Sequence, residues 1–448
     1  MRLRDRPSRR VRKIVSLLAL LSALWPHGAV AQTPEPRREQ LLNGLRVLLL
    51  PRPGEPQALV RLRVHSGAAF DLAGKEGVMA LLGDALFPDP STREYVTEDL
   101  GGRLEVSTGY DSIDVTLTGK ADEFERLIEL LRAAVINTQL SPEAVTRLRD
   151  ARLKAVKDVS VSPTVLADRA IAARFFGTIF PYGRIPEGTP DSLGRVERAD
   201  LLLVRERFLN PNNSTLVVVG VEPVRAMRAV RQYLGPWRRS DREVPATFRQ
   251  PEAPDARTLV LDISGAPDAE VRFAVRGLAR SDRDAPLARL VATLARERWA
   301  RSFPELKGRP FFVEHRAYTL PGVLKAGASV APDKAARALE TARAALQSLV
   351  TNAPTAEELE LARRELLAPL NAGAGKPEAL AELWLDREAY QTDATEEARA
   401  LSNATPADVQ RVAARLLRDT KAATVAVGDA ARLRPELARA GEVEVSGA

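Results

Sequence analysis

Residues 200–220 and 408–428 are two copies of one pattern, and this repeat limits what the chain can fold into more than any other feature. DLLLVRERFLNPNNSTLVVVG and DVQRVAARLLRDTKAATVAVG align at a constant offset of 208 (408 − 200). At that offset Asp200, Val204, Arg207, Leu209, Val217, Val219 and Gly220 meet identical residues. Each copy reads as an amphipathic helix, a turn and a short apolar strand closed by glycine. Earlier segments repeat in the same order. Val60–Val64 resembles Val271–Val275. The helical spacing of Phe124, Leu127, Ile128, Leu131 and Val135 returns in Leu339, Ala342, Leu346 and Leu349. Ser141-Pro142-Glu143 and Thr355-Ala356-Glu357 each open a following helix. The chain is therefore expected to be a duplication.

A length of 448 residues exceeds one ordinary core and agrees with two domains. Domain boundaries are expected at 32–237 and 257–448. Between them 238–256, RRSDREVPATFRQPEAPDA, is polar and proline-bearing and reads as a linker. Leu42-Asn43-Gly44-Leu45 signals a hairpin turn before a strand over Leu45–Leu50. Leu104–Val106 and the alternating Ile113, Val115 and Leu117 suggest an antiparallel pair. Clustered hairpins and consecutive helices indicate an α+β class, each sheet covered on one face by helices.

The net charge of +7 would suggest nucleic acid or a membrane surface as a partner. The charge is concentrated in 1–31, which reads as a secretory signal peptide. Seven Arg and Lys stand against Asp5 there, a net of +6, so about +1 remains for the mature chain. Ile14–Trp25 is an apolar run too short for a comfortable membrane span, and Ala29-Val30-Ala31 offers a cleavage site before Gln32. Ser8-Arg9-Arg10 hints at twin-arginine export, but Arg12 and Lys13 fit Sec export better. The expected product is periplasmic, with secretion as the alternative, carries no membrane span and has no electrostatic case for nucleic acid. With no cysteine, disulfides, thiol nucleophiles and cysteine metal sites are excluded.

Three segments carry a family resemblance: LLNGLRVLLLPRPG (41–54), GKEGVMALLGDALF (74–87), and FPYGRIPEGTPDSL (180–193) followed by ERFLNPNNSTLVVVG (206–220). In order and together with the duplication, they resemble the M16 metallopeptidases, the insulinase, pitrilysin and mitochondrial processing peptidase group. The closest likeness is to short bacterial members with two homologous domains of the M16/LuxS-like metallohydrolase type. That resemblance implies an inverted zinc motif, H-x-x-E-H, with a distant Glu as third ligand. Laid on the family pattern, Ala80 and Asp84 stand at the histidine positions, Gly83 at the catalytic Glu, and Ala155 near the third ligand. Neighbouring Lys154 and Lys157 are expected to repel a metal. The same resemblance places a transition-state Arg/Tyr pair in the second domain. Phe311 falls at the Tyr position with Phe312 beside it, and only Arg301, Lys307 and Arg309 lie near the Arg position.

The histidine count supports this reading without alignment. Once 1–31 is removed only His65 and His315 remain, 250 residues apart (315 − 65), too far for any local pair. A lone histidine more often packs than ligates, and no G-x-S-x-G elbow supports a serine triad on either. No cofactor is expected. The family's substrate edge maps to Leu104, Glu105, Val106 and Ser107, running on to Thr108. Such an edge either pairs with extended peptide or is simply a capped edge strand. The leading expectation is a catalytically silent, insulinase-like pseudoenzyme that forms a heterodimer with an active M16 paralogue in peptide degradation or processing. The alternative is a stand-alone peptide-binding or structural module, self-associating or alone. A third reading, an enzyme with a relocated site, would be revealed by tight zinc or chelator-sensitive cleavage.

Overall fold

The computed structural model describes residues 34–447 except 139, 161, 243, 245–247 and 374. The signal-peptide segment 1–31 lies outside the described residues. The first half contributes strands β1 (Arg37–Gln40), β2 (Arg46–Leu50), β3 (Gln57–Val64), β4 (Arg103–Thr108), β5 (Ile113–Lys120) and β6 (Ser214–Val219). Its helices are α1 (Val78–Asp84), α2 (Pro90–Glu98), α3 (Phe124–Ile136), α4 (Pro142–Ser160), α5 (Pro163–Phe176), α6 (Pro190–Gly194), α7 (Arg198–Phe208) and α8 (Pro223–Leu234). The second half has strands β7 (Thr258–Asp262), β8 (Ala269–Arg276), β9 (Phe311–Arg316), β10 (Val323–Val330), β11 (Ala423–Gly428) and β12 (Val443–Gly447). Its helices are α9 (Ala285–Ser302), α10 (Ala335–Thr351), α11 (Ala356–Gly373), α12 (Pro377–Tyr390), α13 (Ala394–Asn403), α14 (Pro406–Leu417) and α15 (Ala430–Leu437).

The two sheets run β1-β2-β6-β3-β5-β4 and β12-β7-β11-β8-β10-β9, so five strands correspond in order. The sixth position is filled differently, by antiparallel β1 in one sheet and parallel β12 in the other. The α+β class and the duplication hold. The expected turn at Asn43-Gly44 joins β1 to β2. Gly44 sits at φ +91, and an added Cβ would lie 2.7 Å from Asn212 Cβ, so a larger residue is excluded twice over. The expected caps are also present: Ser141 Oγ accepts from Ala144 N–H, and Thr355 and Glu358 exchange bonds across the first turn of α11.

Helices on one face of each sheet were expected; the opposite faces are covered as well. β6 and β11 are buried at every position, which a continuous apolar strand requires when both faces are packed. The second cover is exchanged between the halves. α5 of the first half lies on β11 and β8 of the second, and α12 of the second lies on β6 and β3 of the first. Ala167, Ile171 and Phe175 pack with Ala274, Val425 and Val427. Leu380, Trp384 and Leu385 pack with Leu48, Leu59, Val217 and Val219. Glu35–Ala448 consequently forms one compact unit. The 238–256 segment, read as a linker, also contributes Phe248, whose ring packs 5.6 Å from Phe70.

Trp384 belongs to the second half but fills the core over the first half's sheet. Trp384→Ala is expected to cost about 3–5 kcal/mol in urea unfolding. Hydrogen exchange should accelerate at the β3 and β6 amides, in the half that does not carry the substitution. Exchange changed only in α12 would contradict this reciprocal cover.

Candidate functional site

The short helix α1 carries the positions aligned with the inverted zinc motif. Its N-terminus is fixed by Asp71, whose carboxylate accepts from Gly77 and Met79 N–H at 2.8 Å each. Burial pushes the Asp71 carboxyl up to about 7, against the pull of these two bonds. Val78 through Gly83 are all buried, so the helix is a core element.

The guanidinium of Arg152, on α4, lies across the two former histidine positions. Its Nε and Nη2 donate to the two Asp84 oxygens at 2.7 Å each, and Nη2 also lies 3.4 Å from the Ala80 carbonyl oxygen. Bidentate pairing of this kind fixes both partners, and its fixed positive charge opposes a divalent cation in the same place. Gly83 faces β4 so closely that a Cβ there would lie 2.6 Å from Thr108 Oγ1. The donor set does not fit zinc. Among the described residues, no group of three or more His, Asp or Glu is placed to hold a metal ion.

Ala155 stands one turn beyond Arg152 and, with it, lines a cavity of about 550 Å³. The structure thus brings Ala80, Asp84 and the neighbourhood of Ala155 together, with Arg152 as the link. Arg152 escaped the sequence reading, although its place on α4, one turn before Ala155 (i, i+3), was a usable signal. Lys154 and Lys157, expected to oppose a metal, instead lie with Asp150 and Asp158 around a separate surface depression. The cation that opposes a metal is Arg152.

The cavity's other walls are α5, the loop after it and the second sheet. Asp168 of α5 accepts from Arg272 Nε at 2.9 Å and Lys325 Nζ at 3.0 Å. Burial alone would raise the Asp168 carboxyl, but these two charges outweigh it and hold it below the ordinary range. Phe312 lies beneath both cations, its ring centroid 5.2 Å from the Arg272 guanidinium and 5.1 Å from Lys325 Nζ. Phe311 instead meets Trp299 edge-on at 5.8 Å, within the second half's own packing. The three cations near the Arg position do not line the cavity. Arg309 pairs with Asp268 at 2.8 Å, Arg301 pairs with Glu358, and Lys307 is exposed before β9. Arg316 and Lys325 line the cavity in their stead.

β4 is the edge strand of its sheet, with Leu104 turned inward and Glu105 and Ser107 exposed. None of Leu104, Glu105, Val106 or Ser107 lines the cavity. The edge also carries an ion pair to the exchanged helix, Arg103 to Glu378 at 3.3 Å.

Both histidines are part-buried, and neither lines the cavity beside Arg152. His65 Nε2 lies 2.9 Å from Thr215 Oγ1, and burial, then Arg46 and Arg63, depress its pKa to about 3. His315 Nε2 accepts from Leu278 N–H, and burial, then Arg289 and Arg280, hold it near 4.

Comparison with known proteins gives two matches to family models. Residues 46–178 match the model described as insulinase, peptidase family M16, and 195–366 that described as the peptidase M16 inactive domain. Among solved structures, the chain is similar to a protease from Helicobacter pylori at 18% identity and TM-score 0.80, over 88% of this chain and 100% of that one. It is similar to a peptidase M16 inactive domain from Pseudomonas fluorescens at 18% identity and TM-score 0.79, over 88% and 98%. A chain of complex III2 from Candida albicans shares the fold at 15% identity and TM-score 0.74, over 90% and 99%. No curated protein matches the chain.

Two outcomes follow from the site. The triple variant Ala80→His, Gly83→Glu, Asp84→His should acquire neither stoichiometric zinc nor chelator-sensitive cleavage while Arg152 remains. Zinc analysis and peptide hydrolysis check this, and cleavage by the triple variant alone would refute it. The histidines set a pH dependence. Each stays neutral in the fold but takes up a proton below about pH 6.5 when unfolded, so the unfolded chain then binds more protons. Stability should be full above pH 6.5 and fall toward pH 4 by about 1.4 kcal/mol per unit for each histidine. Urea midpoints across that range should flatten in His65→Asn, and an unchanged slope would contradict the assignment.

Proposed function

The chain belongs to peptidase family M16, and from that membership we propose that it is a catalytically silent member that works beside an active, zinc-bearing paralogue. The observation that carries this reading is the Asp84–Arg152 ion pair standing across the positions of the metal motif. A motif that had merely lost its ligands would leave a polar gap. Here the space is refilled by a bidentate pair, and Gly83 has closed onto β4. The scaffold around it is kept: α1 is buried, both sheets are complete, and a cavity remains between the halves.

In this reading the protein supplies half of a peptide-handling chamber, and its paralogue supplies the catalyst. The match of 195–366 to the inactive-domain model agrees with a non-catalytic role. The leader at 1–31, if cleaved after Ala31, directs the mature chain to the periplasm. There a soluble heterodimer would act in peptide degradation or processing. The second reading is a structural or peptide-binding module without a peptidase partner, as a monomer or a homodimer. It is favoured by the likeness in fold to a chain of complex III2.

Co-expression of the mature chain with an active M16 paralogue from the same source tests the proposal. The expected result is co-elution as one species on size exclusion, with peptide cleavage at least several-fold above that of the paralogue alone. Independent elution with unchanged cleavage would overturn the heterodimer and leave the module reading. Purified alone, the mature chain should hold no stoichiometric zinc and show no chelator-sensitive hydrolysis.

A further inference from the structure

The cavity between α5 and the second sheet is short of negative charge. Arg152, Arg169, Arg184, Arg316 and Lys325 line it against Asp168 and Glu187. Three of the five cations are answered by carboxylates: Arg152 by Asp84, Lys325 by Asp168 and Glu314, and Arg316 by Glu314. Arg184 is held by the carbonyl oxygens of Asp71, Thr178 and Ile179, which satisfy its N–H groups without a carboxylate bond. Arg169 is half-buried and makes no ion pair among the described residues. Its neighbour Asp168 is taken by Arg272 and Lys325.

A half-buried guanidinium in a walled cavity attracts an anion strongly, because low-dielectric walls focus its field and its planar fork suits a carboxylate. The rest of the wall is largely apolar, with Val165, Ala172, Phe176 and Val323. Tyr110 presents its ring there, since its hydroxyl donates to the Tyr182 and Arg184 carbonyls. The volume of about 550 Å³ suits a small ligand or a short length of chain.

We propose that this cavity binds the carboxylate of an extended peptide at Arg169, with an adjoining apolar side chain of the peptide against Phe176 and Val323. The carboxylate is that of an acidic side chain or of a free C-terminus. The proposal rests on the reading of the protein as part of a peptide chamber and adds the substrate class. It assigns the selectivity to Arg169, a residue outside both the zinc motif and the Arg/Tyr region.

The test is fluorescence anisotropy with the mature chain and labelled hexapeptides that pair Leu or Phe with Glu. Each peptide is compared with its Glu→Gln form and its C-terminally amidated form. The carboxylate-bearing peptide should bind at least about tenfold tighter than its neutral counterpart, with the gap narrowing in high salt. The form that loses the advantage identifies side chain or terminus as the source. Arg169→Gln should close the gap and Arg169→Lys should restore part of it, with urea midpoints confirming that both variants fold. Equal binding of charged and neutral peptides, or a gap unchanged in Arg169→Gln, overturns the carboxylate site alone. If no peptide binds, the peptide-chamber reading falls with it, whereas pairing with an active paralogue is decided separately by co-elution.

Discussion

The exchange of one helix between the two halves is the constraint on which the rest of the structure depends, and part-buried ion pairs accompany it at corresponding places. The helices α5 and α12 correspond at an offset of 214 (377 − 163), and so do the carboxylates they present, Asp168 and Glu382. Asp168 meets Arg272 and Lys325 of the second sheet, and Glu382 meets Arg61 and Arg63 of the first. Apolar contact supplies the driving force. Burying side chains such as Leu380, Trp384 and Leu385 is worth roughly 1.5–3 kcal/mol each. Such contact alone would tolerate a shift of one helical turn. The ion pairs oppose such a shift, although Asp168 and Glu382 are each about 40% exposed and solvent screens part of their pull.

This exchange also makes the cavity. An α-helix laid across an apolar sheet needs small or matching side chains beneath it, and α5 meets β8 and β11 through Ala167, Ile171 and Phe175. Near the start of β10 the sheet surface turns charged at Lys325, and α5 meets it through Asp168 rather than through apolar side chains. The wall there is Lys325 and Arg316, with Arg152 and Ala155 opposite on α4. The degenerate metal motif therefore borders the cavity through Arg152, while its own helix is buried. The Asp111 side chain ties the halves at the same place, accepting from Tyr182 and Tyr390 hydroxyls and from Thr319 N–H.

The duplication, the hairpin at Asn43-Gly44, the β4–β5 pair and the helix caps were legible because each depends on local residue types. The loss of the zinc motif was legible from the histidine count and from Ala80, Gly83 and Asp84. The runs STLVVV and ATVAVG carried a signal that the one-face expectation missed, since a half-exposed strand would alternate. Which helix supplied the second cover was not legible, because α5 and α12 have weak amphipathic character and pack against residues about a hundred or more positions away. Arg152 was hidden for a similar reason. Its partner Asp84 is 68 residues earlier, and the one local signal was its place a turn before Ala155. The cations near Phe311 do not stand in for the missing Arg, because spacing along the chain does not set direction. Arg301 and Arg309 are turned to carboxylates of their own half.

The two halves differ most tellingly where their sheets should be equivalent. Register pairs Arg61 with Thr116 and Arg63 with Asp114 in the first sheet, and Arg272 with Gly327 and Ala274 with Lys325 in the second. At one sheet position the first half thus carries Asp114 and the second Lys325. In the first half, Asp114 and the exchanged helix's Glu382 and Asp386 surround Arg63, and their charges outweigh its burial and raise its pKa. In the second half a lysine replaces that carboxylate, while α5 brings one carboxylate, Asp168, where α12 brings two. Glu270 and Glu314 make up the difference, pairing with Arg272 and Lys325 from the sheet itself. Duplication thus produced two similar helix-on-sheet junctions balanced by different carboxylates, and among the described residues the cation left without a partner beside the larger cavity is Arg169, on the exchanged helix rather than on the sheet.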